Sequence, residues 1–233
     1  MQMRHAFENM TLSRALLLGV SAAVLLVGLG LALYPTTLSA SPAGLSGVIA
    51  IGVILVVYGI AGAWLPPRLE RRDPLLLRAA ITFGLLAGAV YAGEIVLEYV
   101  TLPANNSPYA LIEFGAIFVV YFAAGLTAAR RTGRTRDGIS AAVTAALIST
   151  LIWYIVLLAV TFAMRGTFQQ AAVLRAEGNL EDFTRSGMSD FPAWFMQDLL
   201  GAGFFHLLLG PIVAAVLGGA GALAGKLVRR VRA

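Results

Sequence analysis

The chain has 233 residues, 59% apolar and only 12% charged, with a mean hydropathy of +0.83. A water-soluble domain carries about a quarter charged residues, so a soluble globular enzyme is excluded. A disordered or nucleic-acid-binding chain is excluded as well, despite the net charge of +5. With no cysteine present, disulfides, thiolate nucleophiles and cysteine metal sites are ruled out.

A helix needs about 20 apolar residues to cross the hydrocarbon of a bilayer. Six stretches meet that requirement: 15–34, 44–65, 77–99, 109–129, 139–164 and 199–225. Local signals support these limits. Pro66 and Pro67 predict the end of the second span, because proline cannot continue a helix. Asp73-Pro74 and Ser107-Pro108 each predict an N-cap followed by proline at the first helical position. Asp137-Gly138 predicts the turn before the fifth span. The expected fold class is all-α: residues 1–233 form a single integral membrane domain, a six-helix bundle.

Basic residues set the orientation of such a chain. Arg4 and Arg14 precede the first span, Arg68, Arg71, Arg72 and Arg78 follow the second, and Arg130, Arg131, Arg134 and Arg136 follow the fourth. Lys226, Arg229, Arg230 and Arg232 end the chain. The alternate connections hold only Arg165, Arg175 and Arg185, giving fourteen basic residues on one side against three on the other. Both termini are therefore expected on the cytoplasmic side of the plasma (inner) membrane. The first apolar run is too long for a secretory signal and no A-x-A site follows it, so it reads as an uncleaved anchor.

The outer connection 165–198 is long, with Phe183, Phe191, Trp194 and Phe195 giving it aromatic character. Asn179 is placed to cap a short helix with Glu181 and Asp182 in its first turn. Asp190 before Pro192 looks like the start of a sixth helix that begins outside the membrane. Such an amphipathic segment can lie in the interface, as a lid over an outward-facing cavity or as a seal on the bundle.

Glycine is abundant, with 25 residues, and small residues let membrane helices approach closely. Gly84 and Gly88 share a face of the third span. His206, Gly210, Ala214, Gly218 and Ala222 recur every fourth residue on the sixth, which predicts a central position for that helix. The same spacing would also serve a homo-oligomer or a partner membrane subunit. Pro211 interrupts the sixth span and removes one backbone bond to the carbonyl of Leu207.

Embedded charge is costly and marks function by default. Glu94 and Glu98 lie four residues apart on one face of the third span, with Tyr91 on the same stripe. At 1.5 Å rise per residue, Glu94, Glu113 and His206 fall at similar depths in the outer leaflet, about 7–9 Å from their helix midpoints. Glu98 and Asp198 are expected nearer the outer surface. On the fifth span Thr150, Tyr154, Thr161 and Arg165 form a second polar stripe, and Arg165 could pair with Glu98 or Asp198. Clustered carboxylates in low dielectric repel, and one tends to keep its proton. That chemistry suits a proton or cation. Carboxylates with an imidazole could also hold a divalent metal, and a purely structural polar network would use the same residues. Nothing in the sequence calls for a cofactor.

Gly44-Leu45-Ser46-Gly47 matches the GxSG string around a rhomboid-protease serine, and His206 lies on the last span. The serine opens the second span, however, where rhomboids place it later, so the match lacks its structural context. Asn105-Asn106-Ser107 fits a glycosylation acceptor. The functional expectation is a transporter or transport subunit for a proton, cation or small solute. The alternative is a non-catalytic accessory or scaffold subunit acting in the lipid bilayer through helix–helix contacts.

Overall fold

The computed structural model describes the backbone of residues 2–105 and 107–232, and the side chains of 12–105 and 107–229. The side chains of Arg4, Asn106, Arg230 and Arg232 lie outside the described residues. Among the described residues the chain is all-helical, without strands. The order is α1 (Gln2–Leu33), α2 (Thr37–Ala40), α3 (Pro42–Arg72), α4 (Pro74–Thr101), α5 (Ser107–Thr132), α6 (Thr135–Ala163), α7 (Phe168–Ala176), α8 (Asn179–Ser186) and α9 (Phe191–Arg232). Six of these, α1, α3, α4, α5, α6 and α9, are long and apolar enough to cross a membrane. Their outward faces carry bare leucine and valine, such as Leu18, Leu25, Val57, Leu111 and Val216, which a water-soluble fold would bury.

The most enclosed of the six is α6, not the last helix. The apolar window of α6 is 61% buried, against 28% for α9. The cause is the run 141–150, where Ala141, Ala142, Ala145 and Ala146 alternate with Thr144, Ser149 and Thr150, all buried. A helix that is small on every side can accept neighbours on every side, and α6 packs against α1, α3, α4, α5 and α9. Several glycines of α4 and α9 lie against α6 too, while Gly221 and Gly225 of α9 lie against α5. A Cβ on Gly88 would meet Ile152 at 2.7 Å, one on Gly210 Thr150 at 2.4 Å, and one on Gly218 Ala142 at 2.3 Å. Gly84 faces Ile148 and Ala145, while Ala214 and Ala222 are fully buried. At Gly125 on α5 a Cβ would sit 2.0 Å from the Gly218 carbonyl oxygen of α9, so the two backbones touch there.

Several boundaries differ from those expected. Pro66 and Pro67 lie inside α3, which continues to Arg72. Two lost N–H donors do not end the helix because Leu69, one turn further on, is buried with Leu76, Leu77 and Ala80. Tertiary burial outweighs the local break. Asp137 and Gly138 lie in the first turn of α6, and the turn itself is made by Gly133 at φ +75°. Asp137 suits a helix N-terminus, and its carboxylate takes an ion pair from Arg72. Asp73 caps α4 as expected, accepting from the Leu75 amide at 3.0 Å. Ser107, in contrast, is the first residue of α5, and its amide donates to Asn105 Oδ1. Gly178, with φ +78°, occupies the cap position before α8 that Asn179 was expected to fill.

Pro211 does not end α9. Its missing N–H leaves the Leu207 carbonyl without a helix donor. The Tyr58 hydroxyl of α3 donates to that oxygen at 2.7 Å and lies 2.7 Å from Thr150 Oγ1 of α6. One tyrosine thus ties three helices together at the break.

Candidate functional site: an acidic cavity

The C-terminal end of α4, the start of α5, the end of α6 and the start of α9 meet around a cavity of about 260 Å³. The segment after α6 covers it. Thr167 caps α7 by accepting from the Gln170 amide. The Gln170 side chain then accepts from the Gly166 amide at 2.9 Å and donates to the Thr161 carbonyl at 3.4 Å. These bonds fold α7 back over the bundle, so Val173 and Leu174 are buried and line the cavity. Outside it, Phe183 of α8 sits edge-on to Phe191 of α9 at 5.2 Å and to Trp194 at 5.7 Å. The start of α9 is held by Asp190, whose carboxylate accepts from the Ala193 amide at 3.0 Å.

Five carboxylates line the cavity: Glu94, Glu98, Glu113, Glu177 and Asp198. His206 and Asn179 join them, and among the described residues no arginine or lysine does. Exposure falls from the mouth inward. Glu177 and Asp198 are exposed and Glu94 is half-buried, while Glu98 and Glu113 are 5% and 7% exposed. Glu98 was expected nearer the surface, but the folded-back α7 encloses it. The Oε1 atoms of both Glu98 and Glu113 are buried and lack a hydrogen-bond partner. A buried carboxylate without partners is costly unless it meets a proton or a cation. At the mouth, Glu177 is exposed as a residue, yet its carboxyl borders the cavity. Desolvation, then the charges of Glu98 and Asp198, raise its pKa from 4.5 to about 8.

The wall also carries three aromatic rings, Tyr99, Trp153 and Phe195, among aliphatic side chains such as Ile95, Leu157 and Leu199. The Trp153 ring stacks on the His206 imidazole, centroids 3.9 Å apart at 19°. A carbonyl can only accept, so His206 Nδ1, 3.0 Å from the Ala202 oxygen, carries a hydrogen and donates. Among the described residues no three of His, Asp and Glu converge closely enough to hold a metal ion.

Of the polar residues singled out from the sequence, Glu94, Glu98, Glu113, Thr161, Asp198 and His206 share this cavity, and Arg165, Tyr154, Tyr91 and Thr150 do not line it. Arg165 pairs with neither Glu98 nor Asp198. It lies beyond the end of α6 and stacks over the Tyr34 ring at 4.9 Å, on the side of α1. Tyr154 is fully buried against Gly203, and its hydroxyl has no partner. Tyr91 lines a neighbouring apolar slot. Glu177, Asn179 and Trp153 were not foreseen. Glu177 and Asn179 reach the site only because α7 folds back, which no helical periodicity encodes. Trp153 lies one residue before the stripe position Tyr154. Ser46 and His206 have separate partners: the Ser46 hydroxyl donates to the Ala43 carbonyl.

Comparison with protein-family models, with curated proteins and with solved structures finds no match for this chain.

Proposed function

We propose that the chain is a six-span bundle of the plasma (inner) membrane, with both termini cytoplasmic, that takes up a proton or small cation in the acidic cavity as a transporter or transport subunit. In this reading α7 and α8 form the interfacial segment that covers the cavity on the outer side. One observation carries the proposal. Among the described residues five carboxylates and no arginine or lysine line the cavity, and the two deepest, Glu98 and Glu113, each keep an unbonded buried oxygen. A structural network would be expected to pair such oxygens, for example with Arg165, which stacks on Tyr34 instead. Orientation follows from the excess of Arg and Lys at the opposite ends of the helices. The alternative, an accessory subunit joined to a partner through glycine faces, loses its main surface, because Gly84, Gly88, Gly210 and Gly218 contact α6 within the chain.

The test is flux in proteoliposomes. Purified protein is reconstituted with a trapped pH dye, and an inward gradient of methylammonium or of protons is imposed. Flux in the wild type that is lost in Glu113→Gln, with the variant folded, supports the proposal. Absence of both fluxes, or equal flux in the variant, contradicts it.

A further inference from the structure

A second cavity of about 240 Å³ lies directly inward of the acidic one. It is lined by Tyr91, Ile117, Phe118, Tyr121, Gly210 and Val213, among others, and contains no charged residue. Its floor is buried, and the Tyr121 hydroxyl there is already bonded to Ser149 at 2.8 Å. Its lips, Phe114, Phe118, Phe205 and Leu209, are exposed apolar side chains on the lipid-facing side of α5 and α9. His206 lines both cavities. Three helices run from one to the other: α4 from Glu98 and Glu94 to Tyr91, α5 from Glu113 to Ile117 and Tyr121, and α9 from Asp198 to His206, Gly210 and Val213. From His206 to Val213 the slot extends about 10 Å along the helix.

Resting on the cation reading above, we infer that the natural ligand is a cationic amphiphile: an amine or quaternary ammonium head in the acidic cavity and a single apolar tail in the slot, joined at His206. The head chemistry follows from the lining. Five carboxylates repel phosphate and carboxylate heads, which excludes anionic lipids and fatty acids. The carboxylates do not converge on a metal-sized point, and the Tyr99, Trp153 and Phe195 rings suit an organic cation. The unbonded oxygens of Glu98 and Glu113 supply hydrogen-bond acceptors for an amine head and face a quaternary one by electrostatic contact alone. The tail chemistry follows from a charge-free slot that opens on hydrocarbon and begins where the acidic lining ends.

The test uses the full chain in phosphatidylcholine nanodiscs, with Trp64→Phe and Trp194→Phe so that Trp153 is the only tryptophan. Its fluorescence reports binding of tetramethylammonium and of butyl-, hexyl- and octyltrimethylammonium. Affinity is expected to rise about fourfold per added methylene until the slot is full. Val213→Phe fills the slot from within. Leu209→Trp, read by calorimetry with Trp153 kept, fills it from the exposed lip without touching the interior. In both, the gain with chain length should vanish while tetramethylammonium binds as before. A gain that persists in both slot variants places the tail in lipid and overturns the inference, as does a wild type indifferent to chain length. Either result leaves the cation reading standing. Failure of every ammonium probe, tetramethylammonium included, overturns both.

Discussion

Tyr58→Phe is the sharpest probe of how the bundle is held together where Pro211 interrupts α9. The substitution keeps the ring and removes one oxygen. The Thr150 hydroxyl lies 2.7 Å from both the Ala146 carbonyl and the Tyr58 oxygen and can donate to either, so it does not require the Tyr58 proton. The Tyr58 proton then goes to Leu207, whose carbonyl has no other donor because Pro211 lacks an N–H. Removing the hydroxyl leaves that buried oxygen orphaned, at a cost of about 1–3 kcal/mol. Polar contacts between membrane helices measure toward the low end of such ranges, so about 1–2 kcal/mol is expected. Pro211→Ala restores an N–H to Leu207, and in that background the Tyr58→Phe penalty should fall by about 1 kcal/mol. The assay is reversible denaturant unfolding of the four proteins of this double-mutant cycle. Equal penalties in both backgrounds, within about 0.3–0.5 kcal/mol, would refute the assignment of Tyr58 to the freed carbonyl.

Three further outcomes follow from other contacts. Gly125→Ala forces a Cβ to within 2.0 Å of the Gly218 carbonyl oxygen, so α5 and α9 must separate. A loss of about 1–3 kcal/mol is expected in the same unfolding assay, whereas Gly115→Ala, which meets nothing within 4 Å, should be near neutral. Arg72→Ala strands the buried Asp137 carboxylate. It should cost up to about 3 kcal/mol, and Asp137→Asn in the same chain should recover part of that loss. Glu177 binds its proton more tightly in the folded state, with a pKa of about 8 against 4.5. Folding stability should therefore decline as pH rises from about 4.5 to 8, and melting curves of Glu177→Gln should lose that part of the slope.

The helices were legible because their cause is local. Hydrophobic runs long enough for a bilayer, the Asp73-Pro74 cap and the onset of α9 at Asp190 all depend on neighbouring residues. The errors came where distant residues decide. Leu69 carries α3 past two prolines because it is buried against α4. Asp137 lies inside a helix because the turn is made earlier, at Gly133, and its carboxylate pairs with the distant Arg72. In the site, depth along a helix could be read from rise per residue, which brings Glu94, Glu113 and His206 to one level. Rotation about each helix could not, so Tyr154 falls outside the cavity, while Tyr91, one turn deeper than Glu94, lines the slot below it. The side chains of the 165–198 connection were the least legible. Glu177 enters the site and Arg165 leaves it through bonds of Gln170 to Gly166 and Thr161, a local clasp without hydrophobic periodicity.

The central claim is that the cavity is built to receive positive charge and not to hold the bundle together. The most direct measurement is the melting temperature of the wild type and of Glu98→Gln/Glu113→Gln, with and without tetramethylammonium. The account predicts a wild type stabilised by the cation. It predicts a variant that no longer responds, yet melts no lower than the wild type when both are free of ligand, because each substitution alters a carboxyl whose buried Oε1 has no hydrogen-bond partner to lose. A cation-insensitive wild type together with a variant that melts several degrees lower would contradict it and make the cluster a structural network.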